Sequence, residues 1–345
     1  MGAVLLTLVL ASADGGIVDL EQRTREVMHT LVTVSLPSTL APPEREAAYE
    51  EAFAVFEAID LELNEWRPES ALSRVNAGAG GPGVEAPARL CEVLRLALDG
   101  ARRTGGLFDP TWASVRGLWR FGTDQTGEVP APAKVRAACA AVGWKKVELR
   151  PLEHPTPAAS CRIRLATRAT QLGLGGVVKG WGVDQVARQL RARGVGDFVV
   201  QAGGDLYVAG QARQVGLREP RGTPDESFAR LAVSDAAFST SGDYEHFFEQ
   251  GGVRYHHLLD PRTCRPAPAS VSVSVLAPSA TDAEVLTKAA FILGPRAGQR
   301  LLEAFHAEAV WVTPDGRVHP TPGLRARVQA QRPRGFEAKK TAPLQ

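Results

Sequence analysis

The order of segments predicts an α+β fold. The first 145 residues are helix-rich, short strands and turns take over from Arg162, and the two kinds do not alternate strictly as a doubly wound parallel sheet would require. No period of 20–50 residues repeats, which excludes a solenoid. No linker long enough to separate two domains interrupts the 345 residues.

The elements follow in order. Val32 to Leu36 reads as an opening strand, and Pro42-Pro43 lead into a long helix from about Glu44 to Glu65, with Ala48, Ala52, Val55, Ile59 and Leu63 as its apolar stripe. A polar loop rich in Gly and Pro is expected from Arg67 to Pro87. A second helix follows from about Ala88 to Thr104, stopped by Gly105-Gly106, and a short helix begins at Pro130 to Pro132. Near Lys179 another helix starts, with Val183, Val186, Ala187 and Leu190 on one face and Gly194 at its end. Phe198 to Val200 is an apolar strand, turned by Gly203-Gly204 so that Asp205 braces the turn. Val271 to Val275 alternates with serine, as a half-exposed strand does. A helix from Thr281 to Leu293 and a strand from Val310 to Val312 complete the set before Pro322-Gly323.

Composition narrows the partners. Lys and Arg number 40 against 38 Asp and Glu, a formal net charge of +2, so neither nucleic acid nor an anionic membrane is indicated. Basic residues gather from Arg325 to Lys340 among Pro and Gly, and 325–345 reads as a disordered, solvated tail. Ala3 to Ala11 is an apolar run too short to span a bilayer. With Ala11-Ser12-Ala13 it resembles a secretory signal peptide cut after Ala13, although no Lys or Arg precedes it; a mis-assigned start or a buried first strand is the alternative. No cysteine follows to carry a lipid anchor. The four cysteines (Cys91, Cys139, Cys161, Cys264) form no C-x-x-C pair, so zinc is not indicated. Free buried thiols are the expectation, with one or two disulfides if the chain is exported.

The chemistry concentrates between Gly173 and Asp205. Gly173, Gly175 and Gly176 leave main-chain N–H groups bare, and Lys179 with Gly180 stands at a helix N-terminus. Bare amides, a helix start and a lysine describe a phosphate site. The segment is neither a P-loop nor a dinucleotide fingerprint.

Seven segments, in order, resemble the ApbE family of FAD:protein FMN transferases. Met28-His29-Thr30 is similar to its M-G-T, and Trp66 to Ser70 with Asn76 to its Y-x-P-x-S…N. Gly106 to Thr111 matches G-x-F-D-P-T. Gly173 to Gly180, with Gln201 to Asp205, resembles D-L-G-G-I-A-K-G and N-x-G-G-D. Thr240 to Glu245, Tyr255 to Thr263, and Ala283 to Gly294 match T-S-G-D-Y-E, Y-H-H-I-L-D-P-R-T and A-D-A-L-x-T-A-x-F-V-L-G. The likeness covers roughly residues 25–315. It implies an α+β, T-fold-related antiparallel sheet core with packed helices. It further implies FAD as substrate, Mg2+ on the pyrophosphate, a Thr or Ser hydroxyl on an acceptor flavoprotein, and membrane association only through that acceptor. Export by the Ala3 to Ala13 segment would make the setting periplasmic or extracytoplasmic, with the cytoplasm as the alternative.

By that resemblance Met28 and Trp66 pack the rings of FAD, and Leu107, Phe108, Asp109, Gly173 and Leu258 line its site. Lys179 pairs with phosphate, and His257 is the base, with His256 as the alternative. Trp66 and Phe108 could instead be core aromatics, and Asp243 and Tyr244 could serve their turn. The implied metal shell falls on Gly176, Glu284 and Lys288. Three positions depart from the family: Gly173 replaces an aspartate, Glu284 an aspartate, and Lys288 a threonine. An ammonium donates only and cannot bind Mg2+. Either Lys288 places its charge where the metal would sit, or its helix face is solvated and the site is dead. A shift of one residue would restore Thr287 as ligand with Asp282 nearby, but Phe291 to Gly294 fixes the register against it. Two rivals to transfer remain: an FAD-binding protein without activity, and an FAD pyrophosphatase giving AMP and FMN.

Overall fold

The computed structural model describes residues 8–9, 18–121, 127–330 and 333–336. Its centre is one antiparallel sheet of eight strands, labelled β1 (Leu20–Val27), β2 (Thr30–Pro37), β3 (Phe198–Ala202), β4 (Asp205–Ala209), β5 (Ala236–Gly242), β6 (Ser272–Ala277), β7 (Glu308–Val312) and β8 (Val318–Pro320). Each strand pairs with its successor in the chain, so the sheet is a meander from β1 to β8. The antiparallel α+β core expected from the resemblance is present.

The described residues also form six α-helices: α1 (Pro42–Leu63), α2 (Ala71–Ala77), α3 (Ala88–Arg103), α4 (Pro132–Cys139), α5 (Val178–Ala192) and α6 (Ala280–Glu303). Alternate strand residues serve two cores. Val32, Val34, Val200, Val273 and Val275 pack toward the helices. Val199, Leu206, Val208, Phe238 and Val310 pack with a smaller sheet built on Arg213–Arg218 and Ser227–Val233. This double cover corrects the reading of Val271 to Val275 as half exposed. Ser272 and Ser274 are buried as well, and the Ser274 hydroxyl pairs with that of Thr240 at 2.8 Å.

Other corrections have local causes. The expected loop from Arg67 to Pro87 contains α2, capped by Ser70 Oγ accepting the Ser73 N–H at 3.0 Å, and the strand Val84–Ala86. Strand β1 was not foreseen, because its run of charges has no apolar alternation. It is the sheet's edge, where exposed charge discourages pairing with another chain. Beyond Leu293 the helix α6 continues after a break at Gly294 (φ 69°) followed by Pro295.

The four cysteines are not free. Cys91 is bonded to Cys161, and Cys139 to Cys264. The disorder expected from Arg325 is overturned for 325–330. Leu324 and Val328 pack on the second core, and Gln329–Ala330 pair with Ser227–Val233. The segment read as a signal peptide lies outside the described residues except Leu8–Val9, which pair with Arg213–Arg218. Among the described residues no helix is long and apolar enough to cross a membrane.

Candidate active site

The site forms at the end of the sheet where the β3–β4 turn meets the N-terminal turns of α5 and α6. Close approach of the two helices comes first. A Cβ on Gly180 would lie 2.3 Å from the Ala280 carbonyl oxygen, so only glycine fits. Asp184 of α5 then accepts the N–H groups of Ala280 (2.7 Å) and Thr281 (2.9 Å), while Ser279 Oγ accepts that of Asp282 at 3.1 Å. Those bonds satisfy the orphan donors at the start of α6.

Between the helices lies a cluster of four charges. Glu284 has no exposed surface; its Oε2 accepts the Gly180 N–H at 2.8 Å and its Oε1 accepts from the Lys179 ammonium. Lys179 Nζ also donates to the Gly175 carbonyl (3.0 Å) and sits 3.3 Å from Asp205 Oδ2. Lys288 Nζ stands 3.8 Å from Glu284 Oε1. Asp205 therefore faces the lysines, with Ser239 Oγ donating to its other oxygen, and does not brace the Gly203-Gly204 turn. That turn is made by Gly203 itself, at φ 58°.

Burial works against the Lys179 charge, but Glu284 and then Asp205 outweigh it and hold the ammonium above its ordinary value. Burial, and then Asp205, raise the Glu284 carboxyl, while the two lysines oppose this. Burial also pulls Lys288 down, against Glu284 and Asp205.

The glycine loop is clamped more firmly than bare amides suggest. Gly173 N–H donates to the Pro110 carbonyl at 2.8 Å, and its own carbonyl accepts Trp112 Nε1 at 3.2 Å. Asn76 bonds both main-chain groups of Leu172, at 2.7 and 2.9 Å. Glu65, at the end of α1, accepts the Leu174 N–H at 2.9 Å and pairs with Arg116. Its carboxyl is raised by burial, partly offset by Arg116 and by the Leu174 and Gly175 amides. The amides of Gly173 and Leu174 are thus committed within the protein. Gly175 is exposed and Gly176 half-buried beside them. Trp66 is 63% exposed and lies with its ring 4.3 Å from the Arg116 guanidinium, which also faces Trp112 at 5.2 Å. Trp66 is thus not a core aromatic. Glu65, Trp112, Arg116 and Asp184 escaped the sequence reading; the adjacency of Glu65 to Trp66 was the one available signal.

The G-x-F-D-P-T segment is mostly structural. Asp109 Oδ1 accepts the N–H and hydroxyl of Thr111 (2.8 and 2.5 Å), and Oδ2 accepts the Trp144 N–H at 2.8 Å. Its carboxylate is committed to the turn. Phe108 is buried, with its ring edge 3.2 Å from where a Gly176 Cβ would stand, and Leu107 is half-buried against the core. Met28 and His29, both at φ 56°, form the two-residue β1–β2 turn. The Gly203 N–H donates to the Leu31 carbonyl at 2.9 Å, so this turn lies beside the β3–β4 turn. Asp243 grips Arg221 at 2.6 and 2.8 Å, and Tyr244 lies under Arg218 at 4.5 Å.

The adjacent histidines differ in their bonds. His256 is buried; its Nδ1 accepts the Leu258 N–H at 3.3 Å and its Nε2 donates to the Ala267 carbonyl at 3.2 Å. His257 is half-buried, with Nδ1 3.3 Å from the His246 carbonyl. That contact places the proton on Nδ1 and leaves Nε2 as an acceptor. Crowding around the ring, then the His246 and His256 imidazoles, and lastly the Lys288 charge push His257 down to about 3. Burial pushes His256 down to about 4. Leu258 is buried next to them. The loop that follows is tied to α4 by Cys139–Cys264, with Cys264 at φ 53°.

The residues at the implied metal position do not fit a divalent cation. Both Glu284 oxygens are engaged, and Lys288 offers donors only. Thr287 is buried, and its hydroxyl donates to the Glu284 carbonyl at 2.8 Å. Among the described residues no group of three or more His, Cys, Asp and Glu is placed to hold a metal.

The model of the ApbE family matches residues 28–311. The chain belongs to the ApbE family. An FAD:protein FMN transferase of Treponema pallidum is 34% identical to this ApbE chain over 95% of both sequences. Solved structures share the fold. The ApbE protein of Thermotoga maritima is 26% identical, with a TM-score of 0.77 over 90% of this chain and 99% of that one. The apo flavinyl transferase ApbE of Pseudomonas stutzeri is 27% identical, with a TM-score of 0.76 over 91% and 98%.

Proposed function

We propose that the protein is an FAD:protein FMN transferase. The observation that carries this is the Lys179–Glu284–Asp205–Lys288 cluster beside the glycine loop, in a chain whose curated relative bears that name over 95% of its length. A Thr or Ser hydroxyl of an acceptor flavoprotein attacks the FMN phosphorus. The new P–O bond forms as the bond to the bridging oxygen breaks, and AMP leaves with that electron pair. The hydroxyl proton passes to His257 Nε2 and then to solvent. Lys179 sets its positive charge beneath the phosphates while its donors stay on Glu284, Gly175 and Asp205, and Trp66 with Arg116 offers a flat face to a ring of FAD.

The test is incubation of purified protein with FAD and a flavoprotein acceptor domain bearing a threonine at its flavinylation site. AMP together with a fluorescent, covalently labelled acceptor is the expected result. AMP without label would support hydrolysis instead, and bound FAD with neither would support a binder.

Two disulfides favour an oxidising compartment, so we place the protein outside the cytoplasm. Denatured protein purified from its native host without reductant is expected to show no free thiol by Ellman titration, and all four only after reduction. Four thiols before reduction would sink this placement.

A further inference from the structure

We infer that Lys288 makes this active site independent of divalent metal, its ammonium taking a phosphate oxygen of FAD and the charge that develops on the departing AMP. The inference rests on the flavin-transfer reading.

Charge balance comes first. Glu284 and Asp205 bring two negative charges to the floor of a site that must receive a pyrophosphate. Lys179 alone cancels one of them, and Lys288 cancels the other. With an uncharged residue at 288 the floor would repel its substrate and would call for an external cation. As it stands, the cluster is neutral before FAD arrives.

Geometry points the same way. Lys288 Cε lies 3.6 Å from where a Cβ on Gly176 would stand, so the stem runs along the glycine loop. The ammonium is 3.8 Å from Glu284 Oε1, longer than a hydrogen bond, so that contact leaves its donors available. Lys179, in contrast, spends its donors on Glu284, Gly175 and Asp205. Lys288 is therefore the ammonium better placed to give a hydrogen bond to an arriving phosphate. Preorganised positive charge at a leaving phosphate does the electrostatic work otherwise done by a metal ion.

The experiment measures AMP release and FAD binding, the latter by quenching of flavin fluorescence. Both are measured in EDTA and in excess Mg2+, for wild type, Lys288→Thr and Lys288→Arg. Wild type and Lys288→Arg are expected to keep their rate in EDTA to within about twofold. Lys288→Thr is expected to lose about 100-fold in EDTA and to recover with Mg2+. A wild type that stalls in EDTA and revives with Mg2+ overturns the inference, as does a Lys288→Thr protein whose metal response matches wild type. Circular dichroism checks that the variants fold; if Lys288→Thr does not, the wild-type EDTA arm decides alone. If no AMP appears under any condition, the transfer reading fails. FAD affinity then judges Lys288 separately: insensitivity to EDTA in wild type supports the inference, and a requirement for Mg2+ overturns it.

Discussion

Lys179→Met is expected to lower folding stability by about 3–5 kcal/mol, read as a lower urea midpoint at unchanged slope, and to abolish AMP release. The cost arises because the substitution strands Glu284, which has no exposed surface, beside Asp205. Lys288, at 3.8 Å, is too distant to compensate fully. The pH dependence has a definite sign. Burial and Asp205 already raise the Glu284 carboxyl, and losing Lys179 raises it further. The folded variant then binds a proton that the unfolded chain releases, so its deficit grows as pH rises above the ordinary carboxylate range and shrinks toward acid. Adding Glu284→Gln should restore most of the stability without activity, because the amide oxygen still accepts the Gly180 N–H. A double variant no more stable than Lys179→Met would show that the buried charge is not the cause.

His257→Gln is expected to slow AMP release about 10²–10⁴-fold while leaving FAD affinity and the urea midpoint close to wild type. The ring is half-buried, and its Nδ1 makes a single long contact that glutamine can replace. His256→Gln is expected to show the opposite pattern, lower stability first, since both ring nitrogens are bonded within the fold. The acid limb of kcat/KM for wild type should fall well below pH 6.5, because His257 stays neutral down to about 3. Stability moves differently. The unfolded chain takes up protons on both histidines below about pH 6.5, while the fold resists doing so, and stability declines as pH drops through that window. An acid limb centred at pH 6.5, or a His257→Gln enzyme with full activity, would remove His257 from the role of base.

The legible parts of this chain were those with an uninterrupted local signal. The stripe on α1 and the glycine stop after α5 lie where expected, since a helix shows its buried face at regular spacing. Strand β1 and helix α2 were missed because an edge strand and a seven-residue helix carry little apolar pattern. Strand β6 was misjudged for a different reason: serine looks exposed in sequence, yet here its face lies under a second layer. Lys179, Glu284, Lys288 and Gly176 were named from sequence and do converge. Glu65 and Arg116 were missed because their partnership spans much of the N-terminal half and leaves no mark at either position alone. Asp109 attracted attention as a charged residue in a motif, although its oxygens are spent on a turn.

The sheet's meander has a break in its sequence. β1 and β2 close on a two-residue turn, but β2 must find β3 after everything from α1 to α5 has intervened, as the pairing of Val32 with Ala202 shows. That contact is slow to form, because a very long loop must close before it is rewarded. A nascent chain would therefore carry the β1–β2 hairpin with the apolar edge of β2 open to strangers. The charges along β1 guard only the other edge. Until the insert collapses, the vulnerable surface of this protein is the one that ends at its centre.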